Sequence, residues 1–276
     1  MKHATMMAAL KIERDTAVLR PEQRVMDPVV AELAGAKLMA ALGIGHAYCK
    51  VLSGAGARRL DPREWIIKSE TEDGGLHACY EPEKFSQTVV ASAKVPGAVP
   101  LSFLREHFGI DGGFPTVRAN EWGSGTYPMN GVIFKGKPAM PGAAEFYGAF
   151  VLPADTSAIR AAIKWDSEAM LKIHAARLFL SATCAHASNV LVNAAGQLFS
   201  IDHADVAKTD GSEIGMLFAN VKPGTRAFDA LHQVCTLSEL AVREIFPRES
   251  AAYYIERLRK WRRNFSRATT ASGCRG

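Results

Sequence analysis

Residues 189–202, reading NVLVN–AAGQ–LFSID, constrain this chain more than any other stretch. Two runs rich in Val, Leu, Phe and Ile flank four residues that include one glycine, which is the pattern of a tight antiparallel hairpin. Strands over 189–193 and 198–202 then pair, and the start of one comes to lie beside the end of the other. Asn189 and Asp202 occupy those two positions. An amide oxygen and a carboxylate held side by side are hard oxygen donors, suited to Mg²⁺ on nucleotide phosphates. Ahead of the hairpin, 166–182 (DSEAMLKIHAARLFLSA) reads as an amphipathic helix with Asp166 or Ser167 as N-cap and Glu168 in its first turn. Between helix and hairpin lie Thr183, Cys184, Ala185, His186, Ala187 and Ser188. Phosphoryl transfer asks a protein for metal, charge neutralisation and positioning more than for covalent chemistry, and this unit supplies the metal part.

The remaining chain reads as mixed α and β. Residues 6–13 suggest a strand and the Pro-containing 14–28 a loop. The segment 28–43 (PVVAELAGAKLMAALG) reads as a helix, with Asp27 as N-cap, Pro28 in the first turn and Gly43 as the stop. Short strands are expected at 46–52 and 64–69, joined by a glycine-rich loop, SGAGARRLDPR. Helical signals return at 82–93 and 100–108. Residues 109–143 are rich in Gly and Pro and too long for a plain connector, which suggests a functional flap or an insertion with one strand at 131–135. Residues 211–265 read as mostly helical, ending in a helix over 250–265 and a disordered tail from Ser266.

At 276 residues the chain suffices for one large domain or two packed lobes, and 48% hydrophobic against 22% charged residues argues against disorder throughout. The net charge of +5 owes much to Arg257, Arg259, Lys260, Arg262, Arg263 and Arg267, which read as a solvated helix face; no nucleic-acid motif accompanies them. Five scattered cysteines without a CxxC pair argue against a disulfide framework and against zinc, and favour a reducing compartment. No apolar run approaches 18 residues, so a soluble, cytoplasmic protein without a membrane partner is expected.

The block CAHASNVLVNAAGQLFSIDHADV resembles kinase-like phosphotransferases, which carry D-x-H-x-x-N, a strand–turn–strand and then Ile-Asp. Its Ile201-Asp202-His203 form is most similar to the bacterial HipA-like kinase domain. AELAGAKLMAALGIGHA resembles that family's αC helix, and REIFPRESAAYYIERLRKWRRNF its C-terminal pair of helices. The likeness spans roughly residues 10–60 and 165–265, the hairpin block being its specific part. It implies an α+β, protein-kinase-like bilobal fold with a small, truncated or degenerate β-rich N-lobe and a mainly helical C-lobe. In that division 1–93 is N-lobe-like, 94–155 an insertion or hinge, 156–265 the C-lobe and 266–276 a tail.

The resemblance also implies ATP and Mg²⁺ as ligands, with Asn189 and Asp202 holding the metal. Lys11, paired with Glu32, is the implied phosphate-contacting lysine, although too few residues precede it for a phosphate-covering loop. A rival register uses Gly123 and Gly125 over phosphate, with Lys135 anchored by Glu145. The chain departs from the family pattern at Cys184, which stands where the proton-accepting aspartate is implied. Loss of such a base costs roughly 10²–10⁴ in rate. His186 or Asp205 could take over that role, although His186 reads more readily as a brace for its loop, His203 and Asp205 as loop hydrogen-bonders, and His174 as an ordinary helix-face residue. Three functions follow: a phosphotransferase acting on a protein or small-molecule hydroxyl, a pseudokinase that binds nucleotide without turnover, and a non-nucleotide scaffold using the basic C-terminal helix.

Overall fold

The computed structural model describes residue 19 and residues 21–61, 64–70, 76–79, 88–112, 150–182 and 189–273. The expected strands at 6–13 and 131–135 lie outside them, as do Lys11, Gly123, Gly125, Lys135, Glu145, Cys184 and His186.

Helix α1 (Pro28–Ala41) begins where its sequence signals place it. The Asp27 carboxylate accepts the Val29 N–H at 2.8 Å, and Gly43, at φ +66°, turns the chain out of the helix. Val29, Ala31, Glu32, Ala34, Gly35, Ala36, Leu38 and Met39 are all buried, so α1 is enclosed around most of its circumference. It packs on a four-stranded antiparallel sheet of β1 (Cys49–Ser53), β2 (Trp65–Glu70), β3 (Leu76–Ala78) and β4 (Thr88–Ala93), in the order β1-β4-β2-β3. The loop expected after β1 instead contains a one-turn helix, α2 (Gly54–Ala57), capped by Ser53 Oγ on the Gly56 N–H.

Residues 88–93, expected within a helical segment, form the central strand β4. Val90 packs toward α1 and Val89 and Ala91 toward the opposite face, where Leu60 and Trp65 lie. A strand buried on both faces has no alternating pattern, and a short apolar run of that kind cannot be told from a buried helix by period alone.

The second sheet has the order β5-β6-β7, from β5 (Ala98–Pro100), β6 (Val190–Asn193) and β7 (Leu198–Ser200), all antiparallel. The β6–β7 turn is closed by the Asn193 side-chain oxygen, which accepts the N–H groups of Ala195 and Gln197, and by Gly196 at φ +78°. Among the described residues seven helices accompany this sheet: α3 (Leu101–Phe108), α4 (Ser157–Ala162), α5 (Glu168–Leu180), α6 (Ser212–Asn220), α7 (Arg226–Cys235), α8 (Glu239–Ile245) and α9 (Arg248–Gly273). Their core centres on Phe179, Phe218, Phe246, Tyr254 and Trp261, with the indole N–H of Trp261 donating to the Leu231 carbonyl at 2.9 Å. The fold class is therefore α+β, with two small antiparallel sheets.

Helix α9 continues to Gly273, past the Ser266 boundary expected from sequence. Phe265 stacks on His232 and Phe228 (centroids 4.4 and 4.7 Å), which ties the helix to α7 at that point. Thr269 and Thr270 hydroxyls then bond back to the Phe265 and Ser266 carbonyls, satisfying side chains that would otherwise compete with the helix.

Candidate functional site

A cleft between the two sheets is lined by Ala47, Ile66, Ser92, Ala93, Lys94 and Val95 on one side and Ala98, Leu191 and Ile201 on the other. Glu32 and Lys68 also line it. Lys68 sits on β2 opposite Val90 of β4, on the face that looks toward α1. Its ammonium lies 2.7 Å from Glu32 Oε1 and 3.2 Å from Asp202 Oδ1. The three charges differ in exposure: the side chains of Lys68 and Glu32 are 7% and 2% exposed, that of Asp202 32%. Asp202 is thus the member of the triad that solvent reaches most readily.

Burial works against the Lys68 ammonium, but the carboxylates of Asp202 and Glu32 outweigh it and hold the lysine pKa above its ordinary value. Lys68 is charged, and it is held in place by its partners. Glu32 is fixed from a second direction as well, because its Oε2 accepts the main-chain N–H of His203. Helix α1 can approach this closely because position 35 is glycine: a Cβ there would stand 2.2 Å from His203 Cβ.

Asp202 has φ +60°, one of two non-glycine residues with positive φ among the described residues; Ser181, at the end of α5, is the other. Such a conformation costs an aspartate on the order of 1 kcal/mol and persists only where the surroundings enforce it. Arg177, on the last turn of α5 and 1% exposed, lies at the centre of that enforcement. Its Nε donates to Ser200 Oγ at 3.1 Å, and its Nη2 reaches the carbonyl oxygens of Asn189 (3.3 Å), Ile201 and Asp202 (3.5 Å). The Ile201 N–H also donates to the Asn189 carbonyl at 3.0 Å, extending the hairpin to these two neighbours. His203 completes the cluster with Nε2 3.0 Å from Ser200 Oγ; burial, and then the charges of Arg177 and Lys68, push its pKa well down and keep the ring neutral.

Beside the cleft Asp202 offers a carboxylate that is 32% exposed, whereas Asn189 is 1% exposed, and no group of three or more His, Cys, Asp or Glu side chains capable of holding a metal occurs among the described residues. Were an oxygen-ligated cation bound here, Asp202 and the neighbouring Asn189 would be the residues to hold it; Mg²⁺ takes one or two protein ligands and fills the rest with water and phosphate. A thiolate site is disfavoured. Cys49, 3.3 Å from Ser92 Oγ behind the cleft, has its pKa raised to about 11, chiefly by burial.

Of the residues singled out from sequence, Glu32, Asn189 and Asp202 converge here, and the partner of Glu32 is Lys68. Asp205 lies apart from the triad, 3.8 Å from the buried Arg24. His174 is not on an open helix face. It is 1% exposed, its ring lies tilted against Trp165 with centroids 4.4 Å apart, and burial lowers its pKa to about 3. Sequence reasoning did not single out Lys68 or Arg177, although each leaves a trace. Lys68 interrupts the apolar run WIIKS inside a strand, and Arg177 falls within the apolar stretch IHAARLFL of a buried helix. A long cation in an apolar environment is buried only with partners. No family model, no curated protein and no solved structure matches this chain.

Proposed function

We propose that this protein is a kinase-like phosphotransferase that takes ATP with Mg²⁺ and passes a phosphoryl group to a hydroxyl of a protein or small molecule. The observation that carries the reading is the Lys68 ammonium, 2.7 Å from Glu32 and 3.2 Å from Asp202, in a cleft with apolar walls. Lys68 neutralises phosphate charge, and Glu32 holds it in position. Asn189 and Asp202 hold the cation, which supplies further neutralisation of the phosphates when bound. Ala47, Ile66, Val95, Ala98, Leu191 and Ile201 offer a flat base two apolar surfaces. The α1-bearing four-stranded sheet then corresponds to a small lobe, and the second sheet with its helices to a large one. Lys68 takes the part that the resemblance would give to Lys11. It follows Glu32 in the chain instead of preceding it, and an ion pair is indifferent to that order.

In the transfer itself, the bond from the γ-phosphorus to the oxygen bridging it to the β-phosphate breaks and ADP leaves, a bond from phosphorus to the acceptor hydroxyl oxygen forms, and the hydroxyl proton passes to a base. Cys184 at the implied base position favours a second reading, nucleotide binding without turnover. Asp205 is a poor substitute, because the Arg24 charge engages it.

Thermal unfolding with and without ATP plus Mg²⁺ tests the proposal on wild type, Lys68→Met and Asp202→Ala. A ligand at a hundred times its Kd stabilises by about 2.7 kcal/mol, and that gain should vanish in both variants. Radiolabelled phosphoryl transfer by wild type and by Cys184→Asp then separates the two readings. Activity gained only in the variant supports nucleotide binding without turnover. A folded wild type that gains no stability from ATP and Mg²⁺ sinks both.

A further inference from the structure

We propose that Arg177 is the positioning residue of this site: its guanidinium sets the backbone of both cation-holding residues, so affinity for the cation depends on its forked geometry. The inference rests on the reading above that Asn189 and Asp202 hold a divalent ion. Its basis is the spread of acceptors around one buried side chain. Arg177 reaches the hydroxyl of Ser200 and the main-chain oxygens of Asn189, Ile201 and Asp202, which covers one end of β6 and the residues that follow β7. These bonds go to carbonyls and a hydroxyl. The Asp202 carboxylate instead pairs with Lys68 at the cleft. The arginine therefore acts on the chain that carries the cation ligands.

The anchor is itself immobile. Past Arg177, the last carbonyls of α5 are taken by α9: Arg257 donates to Leu178 at 2.7 Å and to Phe179 at 2.8 Å, and the Tyr254 hydroxyl donates to Leu180 at 2.9 Å. Arg177 thus stands on a helix end pinned from behind, with its planar donors reaching toward the hairpin. A lysine in its place keeps the charge, but its single nitrogen cannot stand both where Nε meets Ser200 Oγ and where Nη2 meets the three carbonyls. Ser200 extends the same clamp, since its hydroxyl also contacts His203, the residue whose N–H is held by Glu32.

The test uses the full chain and two measurements on each variant: the Mg²⁺ concentration that gives half of the ATP-dependent thermal stabilisation, and the Kd of ATP in EDTA by calorimetry. For Arg177→Lys the Mg²⁺ midpoint should rise about ten- to a hundred-fold, while the metal-free Kd moves less than about twofold, as expected when a residue orients metal ligands without touching the metal. Ser200→Ala, which keeps the guanidinium and removes one acceptor, should shift the Mg²⁺ midpoint in the same direction by less. It decides the matter if Arg177→Lys does not fold. An unchanged Mg²⁺ midpoint, or a metal-free Kd that weakens in parallel with it, would overturn the role. Those results differ from failure of the phosphotransferase reading, in which the wild type itself gains no stability from ATP and Mg²⁺.

Discussion

Two sets of charges in this protein look alike in a list of ion pairs and behave differently in space. Around the cleft, Lys68 of β2, Glu32 of α1, Arg177 of α5 and Asp202, just past β7, converge on one point. Along α9, six basic residues follow one another, yet the structure disperses five of them over separate partners. Arg257 holds the end of α5 and Glu213, Arg259 pairs with Glu239, and Lys260 caps the Asp210 carbonyl. Arg262 takes the carbonyls of Cys235 and Leu237, and Arg263 pairs with Glu256. A run of like charge in sequence is here a set of structural contacts, whereas the charges that form a site are scattered in sequence. Convergence together with burial makes the cleft the candidate site, because charges are costly to bury and this cluster leaves one carboxylate exposed.

The sharpest break of that contrast is Glu32→Ala. Removing one partner of a buried pair leaves the other charge poorly compensated, and about 3–5 kcal/mol of stability should go, read from urea denaturation. The ATP-dependent shift should vanish with it. A loss close to zero would mean that Asp202 alone satisfies Lys68, and that Glu32 is no anchor.

Arg257 is the one member of the basic run that resembles the cleft residues, being 5% exposed with four hydrogen-bonding partners. Arg257→Met should strand the Phe179 carbonyl, deprive the Glu213 carboxylate of its cation, leave the Leu178 carbonyl with only the Ser181 N–H, and cost on the order of 3 kcal/mol, measured the same way. If it behaves like its exposed neighbours, the division between buried and dispersed charge drawn here is wrong.

How much of this was legible beforehand follows from the range of each signal. Caps and periods act within a few residues, so Asp27, Gly43 and Ser167 announced the ends of α1 and α5. The hairpin turn likewise fixed the neighbourhood of Asn189 and Asp202. Glu32 stands out only through the resemblance of AELAGAKLMAALGIGHA to a kinase-like αC helix. Its partner does not, because Lys68 lies 36 residues along the chain from Glu32 and 134 from Asp202, and only the β1-β4-β2-β3 order brings them together. The double burial of β4 erased its alternation, and the anchoring of α9 by Phe265 is a tertiary effect that the polar composition beyond Ser266 conceals.

Acid titration sharpens the comparison from the side of buried neutral groups. His174, with a pKa lowered to about 3, and His203, held well below the ordinary value, are uncharged in the folded protein, while the unfolded chain protonates both near pH 6.5. Below that pH the unfolded state binds more protons. Stability is therefore complete above it and falls as pH drops, by about 1.4 kcal/mol per unit for each histidine, continuing for His174 toward pH 3. Urea midpoints at successive pH values measure the slope. His174→Leu should remove about half of it, and an unchanged slope would place the acid sensitivity elsewhere.

The smallest effect belongs to the outer face of α9. Arg259 and Arg263 are each 52% exposed, and their partners Glu239 and Glu256 are 34% and 59% exposed. Pairs of this kind gain little Coulomb energy in water, lose side-chain freedom when they form, and are screened by salt. The double variant Arg259→Gln, Arg263→Gln should leave the urea midpoint where it was at physiological ionic strength, and should leave the ATP-dependent shift intact. The comparison needs this result as much as the large ones. If removing two solvent-facing arginines moved nucleotide binding as Glu32→Ala does, charge would be acting at long range through the field of the whole helix, and the convergence at Lys68 would lose its claim to be the site.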